Sequence, residues 1–358
     1  MSLVLCGLAL VGAQAEVAQP VEMRVQAREG AKLTRRIELS HDLQLAKMTM
    51  VVGGVEQLAQ QRLGVKSRLQ ILMRDEVRQA TAVGPTTTAS PTLLQRKLDD
   101  WLLEATLLTV TGGKEVATAL EAQSPLTGTS VVHQRLADGS WGRHYDERES
   151  SEEFLARLDA SADLAGFLPQ AAVAIGAEWD VVPSLLTTAL CPGGAVPMRF
   201  TKGEDNLYAR QLGAGVGGPL HEVLLQAAWE GTVRAKFVRI EQVEEAPHAV
   251  IELRVEVQAK ADQTQFANEN LGKYDRLDGR HVQSSTTQLA LDGRGELRYS
   301  LKDGLVRSLT LDTKERVSSA VRGVRNDKDD LQQTLELAGT LKLAWTITPV
   351  KPRKQPSK

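Results

Sequence analysis

Three glycines, Gly213, Gly215 and Gly218, have the G-x-G-x-x-G spacing that lets a backbone approach a dinucleotide pyrophosphate, and a helix could follow from Leu220. That chemistry needs a buried strand before the glycines, a βαβ unit around them and an acid on the next parallel strand. The flanking pattern here is antiparallel and Pro219 interrupts it, so a flexible glycine-rich loop is the better reading. His221-Glu222 begins a zinc-protease motif, in which two histidines four residues apart on one helix face pinch a metal; position 225 is Leu225, so the second ligand is missing. His41, His133, His144, His248 and His281 are scattered. Only His133 and His144 could meet, across an Asp138-Gly139 hairpin, where Asp146 or Glu147 would have to complete a metal set. Asp99 with Asp100 and Glu152 with Glu153 supply paired acids. Neighbours on a strand point to opposite faces, however, and acids opening a helix answer its dipole, so neither pair is an acid and base couple. No G-x-S-x-G elbow or S-x-x-K pair is present. The sequence therefore assigns no catalytic residue, no metal ligand, no identified ligand-binding residue and no cofactor.

Composition narrows the partners. Aromatic residues make up only 4% of the 358 positions, too few for stacking platforms, and the net charge of −2 gives no electrostatic footprint for nucleic acid. With 42% hydrophobic and 25% charged residues the chain has the apolar surface to fold, and its length points to two lobes.

The apolar run from Ser2 to Val11 is too short to span a bilayer as a helix and leads into Ala13-Gln14-Ala15, a small-x-small cleavage signal. Export with cleavage after Ala15 is expected, to the periplasm or beyond, although no Lys or Arg precedes the run. Leu5 stands where a lipidated Cys6 would need a small neighbour. Removal of residues 1–15 leaves Cys191 as the one cysteine, with no intramolecular disulfide, and a lone cysteine is more often an inert small hydrophobe than a nucleophile.

The elements that would hold any site are strands. From Ala249 to Lys260, apolar Ile251, Leu253, Val255 and Val257 alternate with Glu252, Arg254, Glu256 and Gln258; Leu335 to Ile347 repeats the pattern. Similar but less regular alternation covers Leu33 to Leu45, Leu63 to Met73, Val233 to Ile240, Thr287 to Leu291, Leu297 to Leu301 and Leu305 to Thr313. Asp292-Gly293 and Asp303-Gly304 are read as the tight turns of a three-stranded meander, and Asp138-Gly139 as another hairpin. Helices are few: one opening at Ser150, whose spacing to Glu153 is that of a capping box, one over Leu220 to Trp229, and one over Pro183 to Leu190. Gly84 to Pro91 reads as an exposed loop and Lys351 to Lys358 as a solvated basic tail.

Ser124-Pro125-Leu126-Thr127-Gly128, Phe167-Leu168-Pro169, and Val173, Gly176 and Trp179, in that order, resemble the SPLxG, FLP and VxxGxxW segments of a family of uncharacterised secreted bacterial proteins. The Pro91 to Asp99 segment and the late glycines Gly295 and Gly304 extend the resemblance. It implies a β-rich architecture and carries no catalytic meaning. In general shape, repeated meanders with a crossing helix are also similar to the half-barrels of lipoprotein carriers, an analogy of fold alone.

The reading is a mainly β (α+β) protein: two lobes of curved antiparallel meander sheets with a few short helices. Residues 1–15 form a signal peptide, 16–170 an N-terminal β-rich lobe with a covering helix, 171–349 a C-terminal β-rich lobe and 350–358 a disordered basic tail. The expected role is a non-catalytic binding or scaffolding module of the cell envelope with no transmembrane segment in the mature chain. Its partner would be an apolar ligand, a peptide or an envelope protein. The rival is a hydrolase with an Asp/Glu/His site outside the known patterns.

Overall fold

The computed structural model describes residues 19–57, 63–81, 90–111, 113–146, 151–160, 163–203, 224–265, 267–268, 280–325 and 328–350. Among them are fourteen strands: β1 (Lys32–Val52), β2 (Val55–Gln57), β3 (Leu63–Ala80), β4 (Pro91–Thr111), β5 (Lys114–Gln123), β6 (Ser130–Arg135), β7 (Trp141–Tyr145), β8 (Glu178–Val181), β9 (Arg199–Lys202), β10 (Ala228–Val243), β11 (Ala246–Asp262), β12 (Arg280–Ser300), β13 (Leu305–Arg325) and β14 (Lys328–Pro349). Two short helices, α1 (Glu152–Ala156) and α2 (Leu185–Leu190), interrupt the series.

The period of two in the sequence becomes a two-faced sheet. Along β11, every second residue from Ile251 to Ala261 is buried and every intervening one is exposed. All fourteen strands join one antiparallel sheet, in the spatial order β7-β6-β4-β3-β1-β14-β13-β12-β11-β10-β8, with β2 on β1, β5 on β4 and β9 on β5. The longest strands, such as β1 with 21 residues, reach about 70 Å at ~3.3 Å per residue. The flank from β7 to β1 comes from residues before 146, and the flank from β14 to β8 from residues after 177. They meet in one seam, where β1 and β14 pair from Leu33 opposite Pro349 to Val52 opposite Leu331. The buried residues of both flanks form one hydrophobic cluster.

Inward-facing glycines let neighbouring strands approach closely. A β carbon on Gly339 would stand 1.8 Å from the Asp42 carbonyl oxygen, and one on Gly293 would stand 2.3 Å from the Asp312 carbonyl oxygen. The neighbouring backbones close in at these points, and only glycine fits. Gly339→Ala should therefore destabilise the fold by about 3 kcal/mol or more, read as a lower urea midpoint at unchanged slope. A cost within ~0.5 kcal/mol would mean that the seam can relax there.

The inner face of the sheet is filled by the chain itself. Trp345, on β14, donates its indole N–H to the Ala189 carbonyl at the end of α2 (2.8 Å). Leu158, Leu164, Phe167, Leu186, Ala189 and Leu190 all join the core cluster. The N-terminal segment lies alongside: Val21 bridges to Val173, Met23 is buried, and the Tyr299 hydroxyl donates to the Arg24 carbonyl (2.7 Å).

Several expectations are corrected. Asp292-Gly293 is no turn: β12 runs straight through it, with Gly293 inward in phase with Leu289, Leu291 and Leu297. The turn at residues 301–304, with Gly304 at φ 68°, and the Asp138-Gly139 hairpin between β6 and β7 are as expected. Of the helix expected over Leu220 to Trp229, residues 224–226 are helical, but Trp229 lies on β10, because its alternation with Gly231 and Val233 continues the strand. Helix α1 is five residues long, with Ser151 at its N-cap and no side-chain cap bond from that residue. Helix α2 starts two residues after Pro183 and stops before Pro192-Gly193-Gly194, close to the expected span. Residues 1–15, the loop at 82–89, Ser150, the Gly213, Gly215 and Gly218 cluster, His221-Glu222 and the tail at 351–358 lie outside the described residues.

Candidate functional site

Polar groups in the apolar phase of the strands gather at two places on the inner face. The first lies where β1, β3 and β4 run side by side. Asp75 is opposite Leu33 on β1 and Arg96 on β4, and Arg35 lies one step along β1 on the same face. The Asp75 carboxylate accepts from Arg35 Nε (2.7 Å), Arg96 Nε (2.8 Å) and Arg96 Nη2 (3.1 Å). Arg96 also donates to the carbonyls of Asp159 (3.0 Å) and Ala160 (3.2 Å), which ties the sheet to the segment that fills it. Burial alone would raise the Asp75 carboxyl, but the Arg96 and Arg35 guanidiniums outweigh it and hold it well below the usual carboxylate range.

His133, on β6 near this cluster, is 1% exposed and its Nδ1 has no hydrogen-bond partner. Burial, followed by the Arg96 charge, pushes its imidazole down to about 3, so it is neutral. Its ring meets Trp141 edge-on, with centroids 6.5 Å apart. His144 is opposite Val132 and exposed, while His133 is opposite Arg143, so the two histidines lie on different faces and do not meet.

The second place is the seam. Rows of paired residues run His41–Leu341–Thr313 and Leu43–Gly339–Glu315 across β1, β14 and β13. With no side chain on Gly339, His41 Nδ1 reaches diagonally over β14 to Glu315 Oε2 (2.8 Å). Both side chains are buried, and Glu315 Oε1 has no partner.

Other candidates resolve as structural. Asp99 sits at a bulge of β4, where Leu72 pairs with Asp100 and Met73 with Leu98, and forms a two-pronged ion pair with Arg74 (2.5 Å). Glu152 and Glu153 open α1. Cys191 is buried at the end of α2. Trp179 donates to the Phe167 carbonyl (3.1 Å), and Gly176, at φ 94°, donates its N–H to Phe237; both serve the core edge. Among the described residues no three His, Cys, Asp or Glu side chains converge as a metal set.

Among the described residues, two of the grooves lie on the outer, wet face. One of about 330 Å³ is lined by Lys47, Lys260, Gln288, Ser318, Thr334 and Glu336. The other, of about 670 Å³, crosses five strands from β5 to β14 between Lys66, Arg68, Glu104, Glu121, Lys202 and Lys342. The charges there are mixed and partly paired, as in Lys66 with Asp42 (3.2 Å) and Arg68 with Glu38 (2.8 Å).

Sequence reasoning missed Arg35, His41, Asp75, Arg96 and Glu315. The available signal was a charged residue in step with apolar ones, as Arg35 and His41 are with Leu33, Ile37, Leu39 and Leu43.

No family model and no curated relative matches the chain. Solved structures that align with it include an outer membrane channel from Pseudomonas putida F1 (8% identity, TM-score 0.21, 93% of this chain and 99% of that one). Others are the outer membrane protein OprG from Pseudomonas aeruginosa (6%, 0.21, 91% and 99%) and the transport unit of the autotransporter AIDA-I from Escherichia coli (6%, 0.23, 90% and 91%). Scores this low mark no common fold. The chain is thus defined by its own strand register: a mainly β protein built on one large antiparallel sheet with few short helices.

Proposed function

We propose that the protein is an exported, non-catalytic binding or scaffolding module of the cell envelope that meets peptide or protein partners on its wet outer face. One observation carries this reading: the chain's own residues between 151 and 203 join the apolar core on the inner face, whereas both of the grooves described have mixed linings with charged and polar side chains and open outward. A carrier of apolar ligands needs the opposite arrangement, an apolar cavity left vacant by its own chain. A hydrolase needs its titratable groups at a mouth that substrate can enter. Asp75, His133 and Glu315 are instead buried, and His41, which borders the larger groove, is only 8% exposed. Export is supported by the apolar run and small-residue cleavage signal of residues 2–15. No helix among the described residues is long and apolar enough to cross a membrane.

The test is organic-solvent extraction of the purified protein with mass spectrometry, beside crosslinking in intact cells with a photoreactive residue at Gln288 or Thr106 on the outer face. The expected result is no enriched lipid and a discrete protein adduct. A lipid recovered at one copy per chain would overturn the reading in favour of a carrier.

A further inference from the structure

Among the described residues the one strand pairing between the two flanks of the sheet is that of β1 with β14, and the His41 and Glu315 pair lies across that junction. The imidazole comes from β1 of the first flank and the carboxylate from β13 of the second, 274 residues apart in sequence. The bond bridges over β14 rather than along it, so it ties three strands beside Gly339, where a β carbon would run into the Asp42 carbonyl. Just beyond, the pairing of β1 with β14 shifts register between Leu45 and Lys47, and the side chains from Met48 to Val52 are only half-buried. The pair is thus the last buried polar tie among the described residues before the seam weakens.

We propose that the His41 and Glu315 pair is a proton-operated clasp across the seam, closed while the imidazole is charged and slackened once it is neutral. This goes beyond the proposed function and does not depend on it.

The surroundings leave the clasp to this one proton. The inward residues packed about it are Ser67 on β3, Leu341 and Gly339 on β14, Thr313 and Val317 on β13 and Leu291 on β12, none of them charged. The nearby charged residues Asp42, Lys66, Arg68, Lys314 and Arg316 alternate to the outer face and are exposed. Burial opposes charge on His41, but the Glu315 carboxylate and its hydrogen bond outweigh that and raise the imidazole above its ordinary value. The sign follows from linkage. A group raised in the folded state contributes stability that is complete below the unfolded value of 6.5 and is lost as pH rises through the folded value. When the charge leaves, the Nδ1–H tautomer can keep the hydrogen bond, but Glu315, already short of a partner at Oε1, loses its neutralising cation. The slackening is therefore local to the weak end of the seam.

The test uses the whole chain. Nitrogen-15 NMR of labelled histidine should show His41 titrating above 6.5, and Glu315→Gln should bring it below that value. Hydrogen exchange, corrected for its intrinsic pH dependence, should show the opening equilibrium at residues 43–52 and 331–338 rising with pH in the wild type. The limit for one linked proton is roughly tenfold per pH unit. Residues 249–259 on β11 should not change. In Glu315→Gln the rise should vanish. If that variant does not fold, the wild-type titration decides alone: a His41 that titrates at or below 6.5 overturns the proposal. So does a seam whose opening ignores pH while His41 changes charge.

Discussion

Replacing Asp75 with asparagine is expected to cost the fold about 3–5 kcal/mol, read as a fall in the urea midpoint. The reason is asymmetry. Arg35 and Arg96 are 7% and 3% exposed, and Asp75 is the anion that both of them hold. An amide keeps the shape and removes the charge, leaving two buried cations without a counter-ion. Arg96 would still hold the carbonyls of Asp159 and Ala160, so the damage should spread to the segment on the inner face and expose it to proteolysis. Replacing all three residues with apolar ones of similar volume should recover much of the loss, since desolvating an ion group often cancels its attraction. A cost under ~1 kcal/mol for the single change would show that water reaches the cluster. The same carboxyl adds an acid limit. Its pKa lies below the unfolded value, so its contribution is present above that value, near 4, and drains away as pH falls through the folded one.

A second loss on acidification should begin earlier, and His133 is its source. The unfolded imidazole takes up a proton near 6.5, whereas the folded one resists until about 3. Between those values the unfolded chain binds the extra proton, and stability falls with pH by roughly 4 kcal/mol across the window. His133→Phe keeps a ring edge for Trp141 and should flatten the stability profile between 6.5 and about 4, leaving the carboxylate-driven loss below. His41 acts in the opposite sense and cannot supply this slope, because its raised value favours the folded state once it is charged. A His133→Phe profile as steep as that of wild type would place the proton uptake elsewhere.

What was legible in advance was the period of two. In β11 and β14 it is nearly unbroken, and there the expected faces match the observed ones. Asp292-Gly293 misled because the same dipeptide serves two purposes. In a turn its glycine supplies a left-handed backbone; here Gly293 stays extended and makes room for the Asp312 carbonyl. Its phase gave the clue, since counting by twos from Leu289 through Gly295 to Leu297 never breaks. Trp229 was assigned to a helix because neighbouring apolar residues suit either period over so short a span. The buried ion groups were not legible as groups. Arg35 and Asp75 are 40 residues apart, and His41 and Glu315 are 274 apart, so only the register of the folded sheet brings them together.

The pairing of β1 with β14 also has a kinetic side. Local hairpins can assemble early on either flank, but Leu33 cannot find Pro349 until all the strands between them in sequence have been made. Contacts of such separation make assembly slow, and until they form each flank presents a long bare strand edge to its neighbours. Whatever keeps those edges apart during biogenesis is as much a requirement for this molecule as its finished core.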